Sequence, residues 1–237
     1  MMKVKLLAYT PDPEKVIAAA ARCCYSNDDP DKLLDGLTDE KAGKFLRKLM
    51  ESGHFSALEH AVFTFSISGV SRSFLAQVTR HRLASFSVRS QRYCSMSDAG
   101  NIEPSAIRED PVTHEHFRDA MDAARSHYQN MLEHGIKKED ARLVLPEATS
   151  TSMVVTMNAR ELLHFFSLRC CTRAQWEIRD VANEMLRLVK EVAPVLFEKA
   201  GASCRQFGYC PESKMSCGNA PTLRHLLDAY REGTGCR

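Results

Sequence analysis

The chain has 237 residues, of which 44% are hydrophobic and 26% are charged. These proportions are typical of a globular protein with a sizeable core, in one large domain or two small ones, and they exclude disorder and collagen-like repeats. The formal net charge is only +2, so a basic site has to be a local cluster rather than part of a surface that coats nucleic acid.

No targeting or membrane segment is predicted. The apolar run near Met1–Ala8 is too short for a secretory signal, and no stretch reaches the roughly 18 apolar residues that a membrane span needs. We therefore expect a cytoplasmic protein with no membrane partner. Its nine cysteines are expected to be reduced thiols rather than a disulfide framework.

Strands and helices alternate in the first half of the chain. We expect a strand over Val4–Ala8, a helix from Pro13 to about Cys24, a helix from Thr38 to near Ser52, a strand over Val62–Ile67 and a helix beginning at Ser71. The strand prediction at residues 62–67 depends on the alternation of Phe63, Phe65 and Ile67 with polar residues. The helix after Ser71 is expected to carry Phe74, Leu75 and Val78 toward the core and to give way to a loop.

The second half of the chain is predicted to be mainly helical. We expect a helix over His114–His134, a short helix over Lys138–Leu145, a strand over Thr151–Met157, a helix capped by Asn158 and a last helix from about Thr172 to Lys199. An apolar stripe is expected on the last helix, at Trp176, Val181, Met185, Leu188, Val192 and Val195. Gly201 is expected to end that helix.

An arginine-rich run lies within a stretch that has no acidic residues. Residues 80–93 contain four arginines, one histidine and three serines, and Asp, Glu and Lys are absent from residues 61–97. A guanidinium presents a fork of donors that matches a phosphate, and without nearby carboxylates these donors are left for an outside anion. If the run is partly helical, Arg80, Arg82 and Arg89 face different ways, which favours two anion sites, one for a cofactor and one for a substrate. The alternative interpretation is a solvated basic surface.

A second cluster of candidate ligand contacts begins at Asn158. Arg160 and His164 are four residues apart and share one face at the start of a predicted helix, where unpaired backbone amides also favour an anion. Arg169 follows two pairs of apolar residues and is expected to project from this helix into a cleft. Each of these residues taken alone is more typical of a surface group.

Other candidate sites are weaker. His54 and His60 are six residues apart, unlike the spacing of helical zinc ligands, so we predict no metal site there. Cys204, Cys210 and Cys217 lack a close Cys-x-x-Cys pair, which leaves a zinc site, a redox switch or ordinary thiols open. No P-loop or Gly-x-Gly-x-x-Gly motif is present, so side chains and helix ends would have to hold a nucleotide.

Several motifs resemble, in the same order, those of the flavin-dependent thymidylate synthases. They are Gly53-His54 through Glu59-His60, Arg80-His81-Arg82 with Ser90 and Arg92-Tyr93, Ala141 through Pro146, Asn158-Ala159-Arg160, and Leu168-Arg169 with Ala174 through Ile178. The resemblance spans roughly residues 1–200. We therefore expect a catalytic domain over residues 1–200 and an unassigned, cysteine-containing tail over residues 201–237.

The resemblance implies an enzyme that makes dTMP from dUMP. Its carbon donor would be 5,10-methylenetetrahydrofolate, and its hydride source would be FAD reduced by NADPH. The fold it implies is α/β (α+β), a central sheet flanked by helices, assembled as a homotetramer whose active sites are shared between subunits. Small molecules rather than a nucleic acid polymer are the implied partners.

The resemblance also assigns residues to ligands by position. The implied FAD contacts are Ser56, Arg80, His81, Arg82, Asn158, Ala159, Arg160 and His164. The implied dUMP contacts are Gln77, Val78, Thr79, Arg80, Val88, Arg89, Ser90, Gln91, Arg92, Arg142 and Arg169. Arg169 is also the implied catalytic residue, because its fixed charge would stabilise negative charge on the uracil ring. No metal and no cysteine nucleophile are implied.

Three positions depart from the family pattern. Ser87 stands where Asn is common, His164 stands where Asn is frequent, and Arg173 replaces a residue that is often His. Because each retains hydrogen-bonding ability, we expect altered detail around the flavin or the folate rather than lost activity.

Two other classes of protein fit the sequence less well. An RNA-binding module would use the same arginines on phosphodiesters, but the recurring exposed aromatic residues that stack on bases are not evident. A cysteine-dependent thymidylate synthase would need a Pro-Cys-Gln nucleophile segment, which the sequence lacks.

Overall fold

The computed structural model describes residues 2–232 and contains one four-stranded sheet within that range. The strands are β1 (Lys3–Tyr9), β2 (Val62–Ser71), β3 (Ala84–Val88) and β4 (Ser150–Asn158). They lie in the order β1-β2-β4-β3, and the sheet is antiparallel. The predicted combination of a sheet with helices, an α+β fold, is therefore confirmed.

The helices follow the chain in three groups. Before β2 lie α1 (Pro13–Cys23), α2 (Pro30–Asp35), α3 (Asp39–Glu51) and a 3-10 helix (Phe55–His60). Between β2 and β4 lie α4 (Arg72–Val78), α5 (Ser105–Arg108), α6 (Pro111–Glu133), α7 (Lys138–Ala141) and a 3-10 helix (Arg142–Val144). After β4 lie α8 (Ala159–Arg169), α9 (Trp176–Val192), α10 (Ser203–Phe207), a 3-10 helix (Ser213–Met215) and α11 (Leu223–Arg231).

These elements form two compact units. The first contains Ser66–Val155 with the start of the chain through Val4, and the second contains Lys5–Phe65 with the described chain from Thr156 onward. Strands β2 and β4 contribute residues to both. The expectation of a catalytic domain over residues 1–200 followed by a tail stays a prediction.

The alternating pattern in β2 produces a one-sided strand, as predicted. Phe63, Phe65 and Ile67 are fully buried, and the residues between them are only partly buried. Successive side chains of a strand point to opposite faces, so this alternation places the apolar set on the core side.

Aromatic rings fill part of the core of the second unit. The ring of Phe63 meets Phe197 edge to face at 5.5 Å between centroids, and Phe166 meets Phe197 in the same manner at 6.0 Å. The carboxylate of Glu14 on α1 accepts hydrogen bonds from the backbone N–H groups of Val195 and Leu196, at 2.8 and 2.9 Å. The segment after α9 is thereby tied to the first helix.

The first unit has a smaller core below α6. Met96, Tyr128 and Ala141 are buried there, and Tyr128 is the one residue of α6 that is buried. The Tyr128 hydroxyl accepts a hydrogen bond from the Met96 N–H at 3.2 Å, so its polar end is satisfied inside the core.

Helix ends are where the sequence predictions were least accurate. The helix predicted from His114 begins at Pro111, because Asp110 caps it by accepting from the Thr113 N–H at 2.8 Å. The helix predicted over Lys138–Leu145 is helical only to Ala141 and continues as a 3-10 turn.

The last predicted helix is also too long at both ends. Gln175 caps α9 by accepting from the backbone N–H groups of Glu177 and Ile178, and the helix stops at Val192, just before Pro194. In the predicted stripe, Val181 and Met185 are fully buried, whereas Leu188, Val192 and Val195 are only partly buried. Trp176 is 37% exposed, and the buried face is completed by Ile178, Ala182, Leu186 and Val189.

Several elements were not predicted at all. They are α2, α5, the 3-10 helix over Phe55–His60, the strand β3 and the helices of the tail. Among residues 2–232, no helix combines the length and the apolar character needed to cross a bilayer.

Candidate active site

The arginine-rich run begins where α4 ends in the first unit. Ser71 caps this helix, its hydroxyl accepting from the Phe74 N–H at 3.0 Å, and Phe74 and Val78 are fully buried. The N–H of Arg72 also bonds to the Thr149 carbonyl at 3.2 Å. The helix is therefore anchored at its start, which fixes the place where the run leaves it.

In the turn after α4, the histidine of the run is buried and its two arginine neighbours are exposed. The backbone N–H of His81 bonds to the Val78 carbonyl at 3.1 Å, and the His81 side chain is buried, at 4% exposure. Arg80 and Arg82 on either side are exposed. The implied dUMP contacts Gln77, Val78 and Thr79 lie in this same helical end, with the Gln77 amide bonded to the Ser73 carbonyl.

The middle of the run is a strand rather than the expected loop. Ala84–Val88 form β3 at the edge of the sheet, and the Arg89 N–H bonds to the Ser152 carbonyl of β4 at 2.9 Å. Side chains alternate along it, so Ser87 is exposed while Val88 is half-buried. Local apolar periodicity was too short to predict this strand, because its pairing partner lies far along the chain.

After β3 the backbone makes a tight turn that orients the end of the run. The Ser90 hydroxyl accepts from the Arg92 N–H at 3.2 Å, and the Ser90 carbonyl accepts from the Cys94 N–H at 3.0 Å. Gln91 is buried within this turn and Arg92 is exposed. The turn presents the Arg92 side chain outward on a fixed backbone.

Arg92 and Arg142 are both bonded to Glu139, one to its carboxylate and the other to its backbone carbonyl. The Glu139 carboxylate accepts from Arg92 Nε at 2.5 Å, and the Glu139 carbonyl accepts from Arg142 Nε at 3.0 Å. Lys138 Nζ donates to the Tyr93 carbonyl at 3.1 Å, and the Arg92 guanidinium lies 5.4 Å from the centre of the Tyr93 ring. Two of the implied substrate residues, Arg92 and Arg142, are thus brought to one residue of α7.

A further arginine adds positive charge to this region. Burial lowers the pKa of the Arg72 guanidinium, the positive charge of Arg142 lowers it further, and Glu147 opposes both effects. Sequence reasoning missed Arg72, Lys138 and Glu139 as members of the site. The available signal was the spacing of Glu139 and Arg142, which are three apart in a predicted helix, a separation at which the Arg142 side chain reaches the Glu139 carbonyl.

In the second unit, the start of α8 is tied to the 3-10 helix at Phe55–His60. The Ala159 N–H bonds to the Ala61 carbonyl at 2.8 Å, and the Arg160 guanidinium donates to the Glu59 carboxylate at 2.5 Å. Asn158 caps α8 as predicted, accepting from the Glu161 N–H at 2.9 Å. The structure thereby connects the start of α8, with Asn158, Ala159 and Arg160, to the element that carries Ser56.

Ser56 lines a cavity of the second unit. The cavity has a volume of about 580 Å³, and Ser56, His54, His60, Tyr25 and Lys48 are among the residues that line it. The His54 ring is held by the Ser52 hydroxyl at 3.1 Å from Nδ1. His164 lies one turn beyond Arg160 on α8 and is exposed.

Arg169 is the last residue of α8 and lines a different cavity, of about 370 Å³. The walls of this cavity are the segment after α8 and part of the tail. Arg173, one of the departures from the family pattern, is held there by the tail, since its guanidinium donates to the Met215 carbonyl at 3.0 Å.

The implied site residues therefore fall into two groups. The first unit holds Gln77, Val78, Thr79, Arg80, His81, Arg82, Val88, Arg89, Ser90, Gln91, Arg92 and Arg142. The second unit holds Ser56, Asn158, Ala159, Arg160, His164 and Arg169. The ligand assigned to each of these residues stays a prediction.

Comparison with known proteins identifies the family. A family model described as "Thymidylate synthase complementing protein" matches residues 5–195. A flavin-dependent thymidylate synthase from Geobacter sulfurreducens is 48% identical over 228 residues, covering 95% of this chain and 98% of the relative. Another from Clostridium tetani is 47% identical over 241 residues, covering 95% and 96%.

A solved structure has the same fold. It is the UMP/dUMP methylase PolB from Streptomyces cacaoi bound with 5-Br dUMP, which is 28% identical with a TM-score of 0.70. The match covers 84% of this chain and 94% of that one. The match to the family model and the identity over nearly the whole chain agree with the motifs at Arg80–Tyr93 and Asn158–Arg160, so this chain is an enzyme that belongs to the flavin-dependent thymidylate synthase family.

Proposed function

We propose that this enzyme converts dUMP to dTMP, with 5,10-methylenetetrahydrofolate as carbon donor and FAD reduced by NADPH as hydride source. The observation that carries the proposal is that Arg92 and Arg142 both bind Glu139, while Lys138 bonds to the Tyr93 carbonyl beside Arg92 and Arg72 lies near enough to Arg142 to be affected by its charge. Such a group of cations suits a phosphate monoester, and PolB, the similar structure, was solved with a dUMP analogue.

The dUMP phosphate would bind at the end of the arginine-rich run. Arg92 offers a planar fork of donors, and the Ser90 hydroxyl beside it can donate to a phosphate oxygen while it accepts from the Arg92 N–H. The Glu139 carboxylate now holds the Arg92 fork and would have to share or release it. Arg142 would supply a second positive charge from the other side of Glu139.

The residues assigned to FAD have the chemistry that a dinucleotide requires. Ser56 offers a hydroxyl at a cavity of about 580 Å³, and Arg160 offers a guanidinium at the start of α8, where the helix dipole also favours an anion. By the family resemblance, Arg80, His81 and Arg82 would also contact FAD. When bound and reduced, FAD would supply the hydride that turns the transferred carbon into a methyl group.

Arg169 would act on the pyrimidine ring. Its guanidinium cannot lose its proton near neutral pH, so it can stabilise negative charge on the uracil ring as N3 loses its proton. That charge makes C5 a better carbon nucleophile, and no attack by an enzyme thiol on the ring is then needed. The neighbouring thiol of Cys170 agrees with this, because burial raises its pKa to about 12 and keeps it protonated.

A visible spectrum of the purified protein tests the proposal. We expect a yellow protein whose flavin absorbance is bleached by NADPH and recovers when dUMP and 5,10-methylenetetrahydrofolate are added together. Formation of dTMP should accompany the recovery. A colourless protein that binds no FAD on reconstitution would refute the proposal.

We also infer a homotetramer with active sites shared between subunits, from the family resemblance. Light scattering coupled to gel filtration should report four chains of 26.6 kDa. Mixing an inactive variant of the first unit with an inactive variant of the second should restore activity if the sites are shared. A monomer that turns over dUMP at the same rate would contradict this inference.

A further inference from the structure

The cavity beside Arg169 is unusually rich in thiols. Cysteines line it from both sides, namely Cys170 and Cys171 after α8 and Cys204, Cys210 and Cys217 in the tail. The motifs that carry the family resemblance left the tail without an assigned function. Its cysteines lie at one cavity with the residue proposed to act on the pyrimidine.

The tail is attached to this cavity by specific contacts. Arg173 donates to the Met215 carbonyl at 3.0 Å and lies 3.7 Å from the Glu212 carboxylate. The Ser203 hydroxyl donates to the Ser167 carbonyl, in the last turn of α8, at 3.1 Å. A group attached to the tail side of the cavity would therefore affect the position of the segment that carries Arg169.

The thiols of this cavity differ in reactivity. Burial raises the pKa of Cys170 to about 12, so this thiol stays protonated and inert. Cys217 is exposed, and hydrogen bonds from the Thr172 hydroxyl and the Asn219 N–H to its sulfur, together with the charge of Arg173, hold its pKa below the ordinary value. Because the thiolate is the nucleophile, Cys217 is the thiol of this cavity best prepared to react.

The charges of the cavity favour an anionic reagent. Two guanidinium groups, Arg169 and Arg173, line it against one carboxylate, that of Glu212. Its volume of about 370 Å³ falls within the range of about 300–1,000 Å³ that small-molecule sites occupy. A small acidic molecule attached to Cys217 therefore has both room and charge compensation.

We propose that this cavity is a modification site, in which Cys217 forms a mixed disulfide with a small anionic disulfide of the glutathione type and the adduct occupies the space beside Arg169. The Cys217 thiolate attacks one sulfur of the disulfide, forming a new S–S bond while the original S–S bond breaks. One half of the reagent leaves as a thiolate and takes a proton from water. Cys217 is thereby oxidised and the departing half is reduced, so the exchange needs no other oxidant.

The adduct has a consequence for catalysis that rests on the proposed function of Arg169. A group filling the cavity restricts the segment from Arg169 to Arg173, so the modified enzyme turns over dUMP more slowly. Reduction of the mixed disulfide by a thiol restores the rate. The enzyme would then be slowed under disulfide stress without a change in its flavin.

The labelling experiment uses the flavin-loaded full chain and oxidised glutathione. Peptide mass spectrometry at timed intervals follows all nine cysteines, including Cys236, which lies outside the described residues. We expect Cys217 to be modified first, Cys217→Ser to lose the fast phase, and Cys23→Ser, which removes an exposed thiol on α1, to keep it. A fastest thiol other than Cys217 would overturn the proposal.

The variant Thr172→Val tests the cause of the reactivity. It removes one hydrogen bond to the sulfur, so modification of Cys217 should slow by roughly three- to tenfold near neutral pH. At alkaline pH, where the thiolate forms in both proteins, the two rates should converge. Equal rates at neutral pH, or a constant ratio at every pH, would show that the Thr172 contact does not activate this thiol.

Reagent charge and turnover complete the test. The ratio of the reaction rate at Cys217 to the rate at Cys23 should be higher for oxidised glutathione than for the cationic disulfide cystamine. The reverse order would reject a site that favours anions. After treatment with oxidised glutathione, the rate of dUMP turnover should fall by at least about fivefold and should recover with dithiothreitol. The variant Cys217→Ser, treated in the same way, should show no loss. Fast labelling without any effect on turnover rejects the link to Arg169, whereas fast labelling of a protein that has no dUMP activity at all rejects the proposed function alone.

Discussion

Substitution of Arg92 by Ala offers a sharp test of the proposed dUMP phosphate site. In the structure Arg92 is held by Glu139 at 2.5 Å, and the two side chains are 57% and 32% exposed. An ion pair this open to solvent contributes about 0–1 kcal/mol to stability. We therefore expect Arg92→Ala to shift the free energy of unfolding by less than about 1 kcal/mol, so that a loss of binding cannot be attributed to unfolding.

The effect on substrate binding should be much larger. A hydrogen bond to a charged group contributes about 1.5–3 kcal/mol, which corresponds to roughly a tenfold to hundredfold weaker affinity for dUMP. The exposed Glu139 pair that the phosphate displaces subtracts at most about 1 kcal/mol from this value. Conversely, Glu139→Gln removes the competing carboxylate and should tighten dUMP binding by up to roughly fivefold.

Calorimetric titration of the flavin-loaded enzyme measures these affinities directly. Deoxyuridine, which lacks the phosphate, should bind Arg92→Ala and the unmodified enzyme equally well. Arg118→Ala, which removes an exposed arginine from α6 in the same unit, should leave dUMP binding unchanged. If Arg92→Ala weakens deoxyuridine as much as dUMP, Arg92 does not bind the phosphate and the assignment is wrong.

Three further predictions concern the second unit. Arg169→Ala should lower kcat for dUMP, measured in stopped assays, by roughly a hundredfold or more, while the flavin absorbance per chain stays constant. If kcat and the bound flavin fall by the same factor, the role of Arg169 at the pyrimidine is rejected. Asn158→Ala should cost about 1 kcal/mol in urea unfolding, because it removes the cap of α8, and Asn158→Asp should retain most of the stability; equal loss in both variants would show that capping is not the cause. Because burial raises the pKa of Cys170 from 9.0 to about 12, the unfolded chain releases this proton near pH 9 while the folded chain keeps it, so stability should fall as pH rises above 9. Urea midpoints at pH 7 and pH 10 should differ less for Cys170→Ala than for Cys23→Ala, and an identical pH dependence would contradict the burial of this thiol.

Structural features that depend on contacts within one turn or one strand were predicted well. Asn158 was expected to cap a helix, and another helix was expected to begin at Thr38. Both side chains accept the N–H three residues later, that of Glu161 and that of Lys41. The alternation at Phe63, Phe65 and Ile67 likewise gave the buried face of β2 correctly. Such signals are local because the groups that satisfy each other are separated by only a few bonds of backbone.

The elements that were predicted wrongly depend on partners that are distant along the chain. β3 is short and pairs through Arg89 with Ser152, so its five residues carry too little periodicity to predict it. The true buried face of α9 includes Leu186 and Val189 instead of Leu188 and Val192, because what covers a helix decides which of its apolar residues face inward. Local propensity cannot supply that information.

The sequence by itself determined the family, the order of the motifs and the kinds of ligand they favour, because the chemistry of guanidinium, hydroxyl and helix-start groups is carried by residue type and spacing. Only the tertiary structure decided which groups meet. Arg160 reaches Glu59 across 101 residues, and Lys138 reaches the Tyr93 carbonyl across 45. The tail was unassigned in sequence, yet it lies against the segment after Arg169 and brings Cys217 to Thr172. Contacts of this kind follow from packing that closes long loops, and no local pattern in the chain encodes them.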